Sequence, residues 1–402
     1  MGVTSSPAAV RIFDADNHYY EPFEAVAERL DSETRKRVID CAIVDGKKRH
    51  VVAGKVDFQI VNPSFDPVAK PGALWEWFRG NPRGLPAQAY LEDREPIPAY
   101  YHHPDVRVTL MDEQGIDQVW LFPTSAVLYE EPLSHDPGAV AIFAKAFNEW
   151  LLEAWSFNYQ NRIFSAPYVS LAVVEEAVKT VHWAAENGAT TLVMPPRAAR
   201  TADGFRRPAD SEFDPFWAAL SETGLTLIIH AGNSGYSYNG YADTRVASSH
   251  GDQSRFASDI QIWRALQQDR PIFDMMVSFM YDRLFERFPN VRVASVENGC
   301  KFLPDLFSKA QVMKNKLPGS FKEDPVELFK RNVWVNPFWE DELTQLVDLV
   351  GADRVLFGSD WPHVEGLPNP ADYLVETKDL DEAARVAVMG GNARNLNTPR
   401  PA

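Results

Sequence analysis

The sequence predicts an α/β fold, a (β/α)8 TIM barrel formed as one domain over residues 1–402. Three observations predict it. Eight short runs are almost continuously apolar rather than alternating, as suits parallel strands buried on both faces. Most are separated by helix-like stretches, the pattern of repeated βαβ units. No Gly-rich dinucleotide fingerprint follows any run, which disfavours the competing open, doubly wound sheet.

The strand candidates are Ile12–Asp16, Gln118–Phe122, Phe164–Val169, Thr190–Met194, Leu225–His230, Val291–Val296, Val333–Val335 and Val355–Phe357. Helix-like stretches Asp105–Gln114, Ala139–Phe157, Glu175–Glu186, Asp214–Glu222 and Met275–Phe288 lie between them, several closed by Gly or Asn-Gly. A barrel needs about 250 residues. The surplus falls mainly in two insertions, residues 22–105 after the first strand and a lid-like loop, residues 231–274, after the fifth. The first contains a hairpin expected from Val38–Val44 with His50–Ile60. Long insertions after barrel strands lie on the C-terminal face, where active sites form. The tail Thr398–Ala402 is expected to fray.

Composition narrows the function. With 40 Lys+Arg against 56 Asp+Glu the formal charge is −16. Such a chain repels phosphate backbones and anionic lipid, so neither nucleic acid nor membrane is an expected partner. Two cysteines, Cys41 and Cys300, provide no disulfide framework and no Cys-rich zinc site. There is no apolar run long enough for a membrane helix and no secretory leader. A reducing, cytoplasmic setting and a small-molecule substrate are expected.

In a barrel, the polar residues that end the strands point into the site. Strand one ends with Asp16 and His18, two apart and therefore on one side of an extended strand. Strand five ends at His230, strand six at Glu297, and strand eight at Asp360 with His363 just beyond. Singly, each has an ordinary explanation as a packed histidine, a cap or a surface ion pair. Together they converge on one rim, and imidazole plus carboxylate suits zinc, iron or manganese. No nucleophile elbow, Walker A loop, His-Glu-x-x-His or Cys-x-x-Cys is present.

Asp14-Ala-Asp16-Asn-His18, the Leu225–Gly232 strand, Asn290–Pro304 and Gly351–Gly366 with its Gly358-Ser359-Asp360-Trp361-Pro362-His363 block carry a resemblance. The chain resembles the amidohydrolase-related, TIM-barrel metal-dependent hydrolases, a group that includes the aminocarboxymuconate-semialdehyde decarboxylase-like proteins. The resemblance spans about residues 10–397. It implies a divalent metal held by Asp16, His18, His230 and Asp360, and a homodimer. Three departures stand out. Asp16-x-His18 replaces the usual His-x-His, Glu297 stands where a His is frequent, and strand four carries no lysine to bridge two metals.

The donor set leaves one or two ions open. Glu297 serves either as general base or as a bridge to a second ion, while His363 either contacts substrate or packs. Tyr19, His250 and Arg255 are taken as substrate contacts. Aromatic residues of the first insertion, Trp75, Trp77, Phe78, Tyr90 and Tyr100, either line a pocket or form a small core of their own. The leading expectation is a metal-dependent hydrolase acting on an ester, a thioester such as an acyl-CoA, or an amide. Metal-activated water would attack, with Glu297, Asp360 and His363 as catalytic groups. The runner-up is a metal-dependent non-oxidative decarboxylase of an aromatic or enoic acid, which the loss of the strand-six His disfavours. A protein that binds metal or ligand without turnover is a third reading.

Overall fold

In the computed structural model, the described residues are 10–60, 62–236 and 266–402. Strand β1 (Ile12–Tyr19) is buried along its whole length. Its C-terminal end leads into the first insertion, where β2 (Ile39–Val44) and β3 (Lys47–Val52) pair antiparallel. The turn between them is Asp45-Gly46, both at positive φ (51° and 73°), the geometry that matches the twist of a tight hairpin. A second such turn, Ala53-Gly54, folds Lys55–Val56 back onto β3. The expected long second arm, His50–Ile60, is therefore broken after Val52.

The main chain then alternates. Helix α1 (Pro104–Gln114) starts on a proline that has no N–H to satisfy and stops at Gly115 in the left-handed region. Strand β4 (Ile116–Pro123) follows, then α2 (Pro137–Trp155), β5 (Ile163–Ser165), α3 (Val174–Glu186), β6 (Thr191–Met194), α4 (Asp214–Thr223) and β7 (Thr226–His230). Beyond residue 265 come α5 (Arg270–Tyr281), β8 (Arg292–Val296), α6 (Leu303–Lys316), α7 (Pro325–Asn332), β9 (Val333–Val335) and α8 (Leu343–Val350). The single helix expected over Met275–Phe288 is interrupted at Arg283, whose φ of 53° is incompatible with a continuous helix.

Two parallel sheets result, β1-β4-β5 and β6-β7-β8-β9 in spatial order. Parallel bridges join them. Tyr168 pairs with Val193 on one side, and on the other Val335 pairs with Val355 and Asn17 with Trp361. The eighth expected strand, Val355–Phe357, is not a regular strand. Its main chain still crosses the gap, because Leu356 N donates to Val335 O at 2.9 Å and Ala15 N donates to Phe357 O at 2.8 Å.

The core is one continuous apolar cluster between the sheets and the helices. Tyr90 and Trp77 of the first insertion belong to a small separate core with Leu74, Ala87 and Leu91, the second of the two readings given above. His50 ties the hairpin to the rest of the fold, its ring nitrogens lying 2.6 Å from Tyr129 Oη and 2.7 Å from Phe23 O. The tail is not frayed. Arg400 N donates to Gly224 O and Ala402 N to Ser221 O, so it closes over the end of α4. Among the described residues no helix is long and apolar enough to cross a membrane.

Candidate active site

Four of the expected ligands meet where parallel strands end. Asp16 and His18 project from one side of β1, His230 is the last residue of β7, and Asp360 follows the Val355–Phe357 segment. All four are at most 8% exposed. His18 Nε2 lies 3.3 Å from Asp16 Oδ1 and 3.3 Å from Asp360 Oδ1, and His230 Nε2 lies 3.2 Å from Asp16 Oδ1. Glu297, directly after β8, has Oε2 at 3.5 Å from His230 Nδ1. Glu297 and Asp360 both hold positive φ (55° and 56°), an uncommon backbone for a non-glycine residue that is found where structure is organised around a site.

Proton bookkeeping shows that this cluster fits a cation. His230 Nδ1 is 2.9 Å from the carbonyl of Ala231, which can only accept. Nδ1 therefore carries a proton, which leaves Nε2, 3.2 Å from Asp16 Oδ1, as the nitrogen placed to take a metal. His18 is buried with neither ring nitrogen hydrogen-bonded. Buried polar groups are rarely left so. Two imidazoles and two carboxylates gathered around one point form the donor set of a divalent transition-metal ion, with the Ala231 carbonyl fixing the tautomer of His230.

The electrostatics agree. Burial and the neighbouring His363 hold His18 well below the usual histidine range. Burial pushes Asp16 up, but hydrogen bonds to His18 and His230 outweigh it and leave this carboxyl below its ordinary value. Burial raises both Glu297 and Asp360, the first further through Asp360 and the second further through Asp16 and Glu365. Crowded buried carboxylates of this kind are relieved by a cation.

A second layer sets the cluster. Buried Asp14 accepts from Ser359 N (2.9 Å), Ser359 Oγ (2.6 Å) and Asn17 Nδ2 (2.9 Å), tying β1 to the loop that carries Asp360. Burial pushes its carboxyl up to about 7. Arg107 is buried and donates to Asn17 Oδ1 (2.7 Å) and to the His18 carbonyl, holding the end of β1.

His363 joins the cluster, with Nδ1 at 2.6 Å from Asp360 Oδ1 and its ring stacked on His18 at 3.9 Å. Tyr19 does not face the cavity. It points the other way from β1, against Trp150 and Trp155 of α2, as the two-residue repeat of a strand requires for a neighbour of His18. Tyr20 lines the cavity instead, its ring parallel to that of His363 at 5.8 Å. His250 and Arg255 lie outside the described residues. Two cavity residues were not anticipated. Glu365 has a carboxylate oxygen within 4.8 Å of donor atoms of Glu297, Asp360 and His363, and Thr124 touches His363. Both follow the rim rule already applied, since Thr124 directly follows β4 and Glu365 is two residues past His363.

The amidohydrolase family model matches residues 97–396. The chain belongs to the amidohydrolase family. A solved amidohydrolase from Mycobacterium avium subsp. paratuberculosis K-10 is 34% identical, with a TM-score of 0.89 over 97% of this chain and 100% of that one. A curated 2-amino-3-carboxymuconate-6-semialdehyde decarboxylase from Dictyostelium discoideum is 26% identical over 123 residues, 29% of this amidohydrolase and 33% of the relative. A gamma-resorcylate decarboxylase from Polaromonas sp. is 35% identical over 78 residues, 19% of this chain and 23% of the relative. The matched stretches thus span a third or less of these curated relatives. The named reaction of both is decarboxylation, which overturns the expectation of a hydrolase. That expectation read Glu297 as a base for water or a bridge to a second ion, and counted the missing strand-six histidine against decarboxylation. The same buried metal-type cluster can instead hold a substrate's oxygens, a use that ligand types alone do not distinguish.

Proposed function

We propose that this amidohydrolase is a divalent-metal-dependent, non-oxidative decarboxylase of an aromatic or enoic carboxylic acid. The observation that carries the reading is the buried cluster of Asp16, His18, His230 and Asp360 opening on one cavity, in which neither ring nitrogen of His18 is hydrogen-bonded. The decarboxylase relatives support the choice of reaction. In the same reading, the two sheets and their bridging segments are one closed (β/α)8 barrel in a single cytoplasmic domain that pairs as a homodimer.

Asp16, His18, His230 and Asp360 would hold the ion, taken as zinc, iron or manganese. When bound, it supplies positive charge that orients substrate oxygens and steadies the electron pair left as carbon dioxide departs. The protein's own groups do the rest. Tyr20 and Phe65, stacked at 4.4 Å, form an aromatic wall beside the cluster against which a planar acid can lie. The carbon–carboxylate bond breaks, carbon dioxide leaves, and the vacated carbon takes a proton. His363, which faces the cavity 2.6 Å from Asp360, is the group placed to deliver it. Glu297 restrains the His230 ring, and burial raises its carboxyl above the ordinary range.

Metal-loaded protein incubated with hydroxylated benzoic acids and with enoic acids should release carbon dioxide in step with loss of the acid. Metal-dependent cleavage of esters or thioesters with no carbon dioxide from any acid of either class would refute the reading.

A further inference from the structure

Asn298 holds its side-chain amide in one orientation. The left-handed backbone at Glu297 (φ 55°) and Gly299 (φ 64°) turns the chain sharply at the end of β8. The turn folds the Asn298 amide across the ends of two strands. Its Nδ2 lies 2.8 Å from the carbonyl oxygen of Val296 on β8 and 2.9 Å from that of Ile229 on β7. Carbonyls only accept, so the end of the amide beside them is the NH2 group, and both of its hydrogens are spent there. A flipped amide would set its oxygen against two carbonyl oxygens. Oδ1 is therefore fixed at the other end of the amide as a pure acceptor.

Among the described residues nothing donates to this Oδ1. The atom is nevertheless not sealed from solvent, although Asn298 as a whole is only 3% exposed. The residue lines the cavity. It sits beside the metal-type cluster, because Ile229 directly precedes His230 and Glu297 directly precedes Asn298. Asn336, another amide of the cavity wall, is fully used by comparison: its Nδ2 donates to Pro337 O (3.0 Å) and its Oδ1 accepts from Glu297 N (3.3 Å). A fixed acceptor that meets only water favours a ligand that brings a hydrogen and penalises one that covers it without. We propose that Asn298 is a specificity-determining residue, whose Oδ1 accepts a hydrogen bond from a hydroxyl or amino group on the acid. The enzyme then selects acids that carry such a donor over matched acids that lack it. That the ligand is an acid rests on the decarboxylase reading, whereas the orientation of the amide rests on geometry alone.

The probes are 2-, 3- and 4-hydroxybenzoic acid, each paired with the fluorobenzoic acid substituted at the same position. Fluorine is of similar size and cannot donate. Binding to the zinc-loaded full chain is measured by isothermal titration calorimetry. In at least one pair the hydroxy acid should bind about tenfold or more tighter than its fluoro partner. A hydroxyl lying on the metal would also give selectivity, so the same pairs are measured with Asn298→Ala. There the ratio for that pair should fall about tenfold, with the fluoro acid binding much as before. A crystal structure of the zinc-loaded wild type with the preferred hydroxy acid gives a check that needs no variant, and should place the hydroxyl oxygen about 2.8 Å from Asn298 Oδ1. No preference in any pair, a preference that Asn298→Ala keeps in full, or a bound hydroxyl lying away from Oδ1 overturns the proposal. None of these readouts requires turnover. If no acid loses carbon dioxide, the decarboxylase reading fails, and the binding ratios still decide the role of Asn298.

Discussion

The cluster makes a quantitative prediction about metal removal. His18 Nε2 stands 3.3 Å from an oxygen of each of Asp16 and Asp360, so those two buried oxygens are within about 7 Å of one another. At an effective dielectric of about 20 they repel by roughly 2–3 kcal/mol when both are ionised. An ion bound between them removes this repulsion and stabilises the folded chain by about 2.7 kcal/mol at a hundredfold excess over its Kd. With an unfolding entropy of about 2.1 cal/mol/K per residue, a chain of 402 residues should gain roughly 3 °C in Tm, and about 5 °C at a thousandfold excess. The assay is thermal unfolding after dialysis against chelator, with zinc, ferrous iron or manganese titrated back. His18→Gln removes the central ligand and should abolish the shift for the metal that gives it. If none of these ions raises Tm, or if His18→Gln shows the same rise as wild type, the assignment of the cluster to a metal is wrong.

Other residues make separate predictions. Glu297→Gln, which loosens the restraint on the His230 ring, should lower carbon dioxide release by about ten- to a hundredfold while each chain, by elemental analysis, still binds metal. Asp324 caps α7 by accepting from Val326 N (2.8 Å) and from Lys314, and these partners outweigh burial to bring its carboxyl down to about 2. Its folded pKa lies below the unfolded value of about 3.9, so its contribution of about 1–2 kcal/mol is present above pH 4 and lost as pH falls toward 2. Urea unfolding of Asp324→Ala should therefore show a deficit at pH 7 that shrinks at pH 3. His50→Phe removes the contacts to the buried Tyr129 hydroxyl and the Phe23 carbonyl, a loss of about 1–3 kcal/mol, and should speed hydrogen exchange in β2 and β3. Burial holds His50 below the usual histidine value. Wild-type hairpin protection is then greatest above about pH 6.5 and declines as pH falls through the folded pKa, a trend His50→Phe should lack.

The proposed reaction class rests on the decarboxylase relatives, because residue types do not carry it. Asp, His and Glu at strand ends serve hydrolysis and decarboxylation alike. The difference lies in which group meets the substrate carbon and which holds its oxygens, and only positions in space separate these roles. Glu297 illustrates this, since its carboxyl sits beside His230 at 3.5 Å rather than standing apart as a free base.

Local sequence determined the succession of buried strands and helices, because apolar runs, proline starts and glycine stops act within a few residues. It also placed Asp16 and His18 on one side of the first strand and His230 at the end of another. Several features were legible only in part. Tyr19 was misassigned although the alternation along β1 already turns it away from His18, and Thr124 was missed although it follows a strand directly. The Asp45-Gly46 turn is readable from its residue pair, whereas the Ala53-Gly54 turn is not, since alanine rarely adopts positive φ unless its surroundings impose it. The tail's attachment to Gly224 and the passage of Val355–Phe357 between two sheets depend on partners more than a hundred residues away. Tertiary structure alone decided the donor and acceptor roles around His230 and Asn298. A histidine's tautomer and an amide's orientation are set by whichever carbonyl the fold places beside them, and no local pattern encodes that neighbour.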